Sequence, residues 1–290
     1  MKNKKYLISF GSPDLKRSIL RFSEQAKELN FYDKIYVYSI DDFKQKYRDR
    51  ILNVIKLKKE KYGYGYSYWK PLLIKQILGI VKDNDMIHYV DLGCHLNKNG
   101  LERLSYYFMR LSKTKKGILA FQYNPLKEYV KKGFDFPTTT DEYKYTKADL
   151  FDYFHLLENK EITHSKQYWA GSIFLKKNDF TLKFIDQWID VFVKRFDLVD
   201  HTPSKILNFK EFDHNKSDQS VYSLLCKINK IESLSAYECE WFYYKGKRYW
   251  DHTVNNPIIA KRDLQYNLFK RFLNRNRKTL RRYYTKLFKK

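Results

Sequence analysis

The chain has 290 residues, enough to bury one large α/β core or two small ones, and we read it as one domain followed by a tail. Hydrophobic residues make up 43%, with 26 Tyr and 21 Phe, which excludes a chain disordered by composition. Lys and Arg number 57 against 33 Asp and Glu, and the net charge of +24 calls for an anionic partner: nucleic acid, an anionic lipid surface or a phosphorylated substrate.

Tyr6 to Phe10 is a short apolar run closed by Gly11, Ser12 and Pro13, and Ser18 to Leu29 then carries apolar residues at helical spacing, so the chain opens strand, loop, helix. Lys34 to Ser39 is β-branched and aromatic, and the segment after it, Asp41 to Lys46, carries cap-type aspartates ahead of a short helix. Trp69 to Val81 has Pro71 near its start and Leu/Ile at i, i+3, i+4, which predicts a buried helix leading into a central strand over Met86 to Val90. Strands alternating with helices in this way predict a largely parallel sheet, whose ligands bind beyond the carboxyl ends of the strands. Downstream, Ser172 to Lys176 reads as a strand, Phe180 to Arg195 as an amphipathic helix, and Ser217 to Cys226 as a helix opening on Ser217 and Asp218. Cys94, Cys226 and Cys239 are widely spaced and odd in number, which argues against a disulfide framework or a cysteine zinc site and fits a reducing cytoplasm. The run Tyr6 to Phe10 is too short for a signal-peptide core, and no stretch of ~18 apolar residues is present to span a bilayer.

Four segments could carry chemistry. In YVDLGC, Asp91 follows a buried strand, where a carboxylate is costly unless paired or metal-bound; the structural alternative is a turn aspartate before Gly93. In SDQS, Asp218 and Gln219 stand at a helix N-terminus that favours anions, and the alternative is a plain cap. In GYGYSYWKP, Tyr66, Trp69 and Lys70 combine stacking faces with a cation, suited to a nucleotide or sugar ring or else to an aromatic surface loop. In KQYWAGSIF, Trp169 offers an apolar platform for a sugar and Ala170-Gly171 a close approach, against the alternative of a core strand. The seven histidines lack any HExxH spacing; His252 in YWDHTV is the one retained as a late metal or phosphate ligand.

Taken in order, LISFGSPDLKRS, GYGYSYWKP, YVDLGC, YTKADLF, WAGSIF and SDQSVYSLL resemble the bacterial A-type-fold glycosyltransferases of capsule and lipopolysaccharide assembly, over about residues 5 to 256. The resemblance implies an α/β, Rossmann-like nucleotide-sugar-binding domain (residues 1–258) with a mixed, mainly parallel sheet. It implies transfer of a sugar from a nucleoside diphosphate donor to a hydroxyl of a glycan or lipid-linked glycan. Ser9, Phe10, Gly11, Ser12, Tyr66, Trp69, Lys70, Asp91 and Gly93 would bind the donor, and Trp169, Ala170 and Gly171 the sugar or acceptor. Asp218 would be the acceptor-side carboxylate, with Gln219 near the anomeric centre. The pattern ordinarily has two carboxylates where this chain has Asp91, Leu92 and Gly93. With Mn²⁺ or Mg²⁺, Asp91 and His252 would hold the ion against the diphosphate; without one, Lys70, His252 or nearby cations would carry that charge.

Residues 261–290 hold twelve Lys and Arg against one Asp, interleaved with Leu264, Leu268, Phe272, Leu280, Tyr283, Tyr284, Leu287 and Phe288. This predicts a basic amphipathic helix over residues 259–290 lying on anionic headgroups, and hence a peripheral place on the inner face of the cell membrane. Two other classes remain open at this stage. A nucleic-acid-binding protein fits the charge but leaves Asp91 and SDQS unexplained, so nucleic acid is not the expected partner. A non-catalytic scaffold derived from a transferase fits the missing second carboxylate.

Overall fold

The computed structural model describes residues 3–58, 63–137 and 140–261. Ten strands are present among them: β1 (Lys5–Phe10), β2 (Lys34–Tyr38), β3 (Met86–Val90), β4 (His95–Leu96), β5 (Ile118–Gln122), β6 (Tyr168–Lys176), β7 (Glu232–Ser235), β8 (Phe242–Tyr244), β9 (Lys247–Tyr249) and β10 (Ile258–Ile259). Six of these form the central sheet in the order β2-β1-β3-β6-β5-β7. β1 pairs parallel with β2 and β3, β5 parallel with β7, and β6 alone runs antiparallel to its neighbours β3 and β5. The sheet is therefore mixed and mostly parallel, as the alternation of strand and helix predicts.

Residue choice explains the layering. All five residues of β3 are buried, as expected of a strand covered on both faces, with the one polar member, His88, bonded to Tyr32 and Ser172. On one face pack the helices α1 (Lys16–Leu29), through Phe22 and Ala26, and α4 (Leu101–Lys113), through Leu104 and Phe108. On the other face pack α2 (Gln45–Lys58), through Ile51, and α3 (Trp69–Leu78), through Leu72, Leu73 and Ile74. Two further helices complete that layer: α5 (Asp179–Lys194), through Phe184 and Trp188, and α6 (Asp218–Ile228), through Val221 and Tyr222. α5 begins at a capping box in which the Asn178 side chain accepts from Thr181 N, so its amphipathic face is delivered in register to the core. Trp188 is fully buried there, and its truncation to Ala would cost about 3–5 kcal/mol.

Two boundaries differ from the sequence reading. After Ser39 the aspartates sit in a 3-10 turn, Ile40–Asp42, capped by Ser39 and Asp42, and the helix that follows, α2, starts at Gln45 and is long instead of short. The helix expected from residue 259 does not begin there: Ile259 pairs with His95 in the β10–β4 ladder, and the buried Ala260 donates its N–H to the Cys239 carbonyl. The rest of that expected helix, residues 262–290, lies outside the described residues.

Candidate active site

β1 and β3 end side by side, and the antiparallel β6 starts at the same edge of the sheet. The N-termini of α3 and α6 point to that edge as well, and together they surround a cleft of 440 Å³ lined by Phe10, Trp69, Lys70, Asp91, Gly93, Trp169, Gly171, Asp218 and Gln219. These nine residues come from five segments of the sequence, and all nine were singled out above.

Lys70 is the centre of the arrangement. Its ammonium is buried and lies 2.7 Å from Asp218 Oδ2 and 3.2 Å from Asp91 Oδ1, and it donates to the Ala170 carbonyl at 3.1 Å. Those three contacts use all three N–H groups of an ammonium. Burial by itself would lower the Lys70 pKa, but the two carboxylates outweigh it and hold the pKa above its ordinary value, so the cation persists across the neutral range. Burial pushes the Asp218 carboxyl up, with Lys70 opposing. Asp91 also accepts from the Tyr89 hydroxyl, and its N–H is anchored on the Gly171 carbonyl at 2.8 Å. Both structural alternatives hold as well: the Asp91 carbonyl accepts from Cys94 N at 2.9 Å, closing a turn, and Ser217 is the N-cap of α6. Asp91 is held in an ion pair, and Ser217, at φ 48°, makes no capping hydrogen bond with its side chain.

The walls are aromatic. Trp69 stacks on Phe10 with ring centroids 4.4 Å apart, and its Nε1 donates to the Gly63 carbonyl. That bond ties down a segment in which Gly63, Tyr64, Gly65, Tyr66 and Ser67 all take positive φ. For Tyr64, Tyr66 and Ser67 this backbone is unfavourable and is kept only by the surrounding contacts. Opposite, the β5–β6 register shifts between Leu119 and Phe121 beside Trp169, which packs in the core against Phe121, as a core strand would have it, and also borders the cleft. A Cβ at Gly171 would stand 2.3 Å from the Trp169 indole, so the glycine lets the ring fold flat across its own strand. Sequence reasoning assigned that close approach to a sugar; the structure gives it first to Trp169.

Other expectations are corrected. Ser9 is fully buried and its hydroxyl donates to the Val90 carbonyl, joining β1 to β3 instead of facing a ligand. Gly11 gives room to the Ile19 side chain, which a Cβ there would meet at 2.5 Å and push aside; neither it nor the buried Ser12 lines the cleft. Tyr66 is buried against Phe196 and His201. Ala170 acts through its backbone, accepting from Lys70. His252 stands apart from Asp91: its Nε2 donates toward the Tyr237 and Glu240 carbonyls, and the ring packs on Phe242 and Tyr249. It belongs to a different pocket, beside Arg103 and Glu238.

Leu15, Ser67, Leu92, Cys94, His214 and Lys216 line the cleft without having been placed in it from the sequence. For His214 and Lys216 a signal existed, since both lie within four residues of Asp218 in DHNKSDQS. Lys216 lies over the Tyr145 ring at 4.0 Å and brings a second cation to the rim.

Among the described residues no group of three or more His, Cys, Asp and Glu is placed to hold a metal. Asp91, with a side chain 41% exposed at the cleft, nevertheless fits an ion shared with a diphosphate, because Mg²⁺ and similar ions commonly take one or two carboxylates and complete their shell with substrate phosphates and water.

No family model matches the chain, and no curated protein matches it. Solved structures similar to it include a glycosyltransferase involved in the glycosylation of the major capsid of PBCV-1, with 9% identity and a TM-score of 0.45 over 88% of this chain and 91% of that one. Mouse xyloside xylosyltransferase 1 has 9% identity and a TM-score of 0.43 over 81% and 87%. The galactosyltransferase LgtC, in complex with donor and acceptor sugar analogs, has 8% identity and a TM-score of 0.40 over 81% and 75%. All three are glycosyltransferases; at these identities and TM-scores the likenesses assign no activity or substrate to this chain.

Proposed function

We propose that the cleft binds a nucleoside diphosphate sugar and transfers its sugar to a hydroxyl of a surface glycan, of the kind built in capsule or lipopolysaccharide assembly. The observation that carries this reading is the convergence of five separate motifs, in the order the sequence resemblance requires, on one cleft at the carboxyl ends of β1 and β3. The sheet geometry is the one in which α/β proteins bind nucleotides. Stacked Phe10 and Trp69 offer an apolar wall to a base or ribose, and Trp169 a platform to a sugar ring.

The two carboxylates divide the chemistry. Asp91, at the open side, would hold Mn²⁺ or Mg²⁺ together with the diphosphate; when bound, that ion supplies neutralisation of the charge developing on the leaving group. Lys70 pairs with both carboxylates, which fixes their positions and leaves one net negative charge between the three groups for the donor's cation to balance. Lys216 adds positive charge at the rim. Asp218, whose carboxyl burial pushes up, takes the proton of the acceptor hydroxyl or fixes that hydroxyl by accepting its hydrogen bond. Water is kept from this corner by the burial of Lys70 and Asp218.

The basic segment 261–290 is proposed to hold the protein to anionic headgroups at the cytoplasmic face, where a lipid-linked acceptor would stand. Among the described residues no helix is long and apolar enough to cross a membrane.

The test is thermal stabilisation of the native protein and of Asp91→Ala by a panel of nucleoside diphosphates and nucleotide sugars, with Mn²⁺, with Mg²⁺ and with chelator. The expected result is a metal-dependent upward shift in Tm with one nucleotide, absent in the variant. No shift with any nucleotide would end the transferase reading.

A further inference from the structure

Behind the cleft, a chain of buried side chains leads to Gln219. Glu142, in the helical turn Glu142–Tyr145, is fully buried, a costly position for a carboxylate unless it is paired and hydrogen-bonded. Lys227 Nζ lies 2.9 Å from its Oε1. Three donors satisfy the rest: the Ser223 hydroxyl, Thr146 Oγ1 at 2.8 Å and Gln167 Nε2 at 3.0 Å.

An ionised carboxylate accepts and cannot donate. Gln167 must therefore turn its NH₂ toward Glu142, where Nε2 also reaches Thr146 Oγ1 at 3.2 Å, and it offers Oε1 on its other side. Gln219 meets that oxygen with its own NH₂, Nε2 to Oε1 at 2.9 Å. Its carbonyl oxygen then accepts from Ala170 N at 3.5 Å, the long limit of a hydrogen bond, and Gln219 itself lines the cleft. Amide orientation is set by the network around it, and here the network starts from a group with a single possible polarity.

We propose that Glu142, acting through Gln167, fixes which atom of Gln219 faces the donor, so that the cleft presents a hydrogen-bond acceptor to a sugar hydroxyl. Glu142 and Gln167 are positioning residues; neither lines the cleft. The proposal rests on the sugar-transfer reading for its ligand, while the orientation of the amide stands without it.

Two variants test the relay. Glu142→Gln supplies a donor where only an acceptor stood and removes the fixed polarity. Gln167→Met cuts the link and leaves the Glu142–Lys227 pair intact, so it decides the matter if Glu142→Gln fails to fold. The first readout is hydrogen exchange of the Gln219 side-chain NH₂ by NMR, the signal assigned by its loss in Gln219→Ala. The native protein is expected to show one protected pair, and each variant a loss of protection of about tenfold or more with a second conformer. The second readout is donor hydrolysis: kcat is expected to fall about tenfold or more with KM for the nucleotide sugar within twofold, because the site is mispositioned and not emptied. A folded Gln167→Met with native protection and native kcat would overturn the relay. If the native protein hydrolyses no nucleotide sugar at all, the transfer reading fails, and the exchange measurement still decides whether Glu142 orients Gln219.

Discussion

The end of β3 and the start of α6 each bring one carboxylate to the same ammonium, yet the two regions differ in burial. The Asp91 side chain is 41% exposed at 3.2 Å from Lys70, and that of Asp218 is 12% exposed at 2.7 Å. Exposure leaves Asp91 able to share a cation with a ligand's phosphates, whereas burial ties Asp218 to Lys70 and raises its pKa. One shared partner thus joins an exposed carboxylate to a buried one, and burial is what separates them.

Asp218→Asn keeps the shape and loses the charge; kcat/KM for transfer should fall about 10²–10⁴-fold, measured with whichever nucleotide sugar stabilises the native protein. The donor's affinity should stay near native. Lys70→Met strands Asp218 beside an apolar side chain, and unfolding in urea should show a loss of about 3 kcal/mol, most of it from the buried Asp218 side, because the exposed Asp91 pair is screened by solvent.

The same substitution sharpens the comparison through pH. In the native protein burial raises the Asp218 pKa and Lys70 opposes the rise, so removing Lys70 must raise it further. A base needs its unprotonated form, so the acid limb of the kcat/KM profile should move to higher pH in any Lys70→Met protein that folds. The linked stability has the corresponding sign. A carboxyl with a raised folded-state pKa binds its proton more tightly when folded, so Lys70→Met should recover stability as pH falls through that pKa. The smallest effect is expected of Asp91→Asn on stability, within about 0.5 kcal/mol, since that carboxylate is nearly half in water.

Much of this was legible in the sequence. β3 could be read because four of its five residues are apolar or aromatic, and the helix after Trp69 because its Leu and Ile residues recur at helical spacing. Asp91, Lys70 and Asp218 could be singled out as charges bordering apolar runs. Their meeting on one ammonium could not, because it depends on β6 entering the sheet antiparallel between β3 and β5, a pairing that no local period encodes. β5 itself, ILAFQ, is too short and too uniformly apolar to separate from a buried helix turn. Ser9 and Tyr66 were misplaced because polarity and aromaticity suit an inward side chain with a partner as well as they suit a site: Ser9 bonds Val90, and Tyr66 packs on Phe196. His252 was drawn to the metal by its place near the end of the domain, where in fact a cage of Phe242, Tyr249 and two carbonyls holds it. Glu142 gave no signal at all, since one glutamate in DEYKY is indistinguishable from a solvated one until Lys227 is seen across from it.

The most direct test of the division between the two carboxylates is calorimetric titration of a nucleoside diphosphate, with and without Mn²⁺, into the native protein, Asp91→Ala and Asp218→Asn. Metal-dependent binding that is lost in Asp91→Ala and kept in Asp218→Asn is the predicted result. Binding kept in Asp91→Ala and lost in Asp218→Asn would contradict the account, because the nucleotide would then be held at the start of α6 and not at the end of β3.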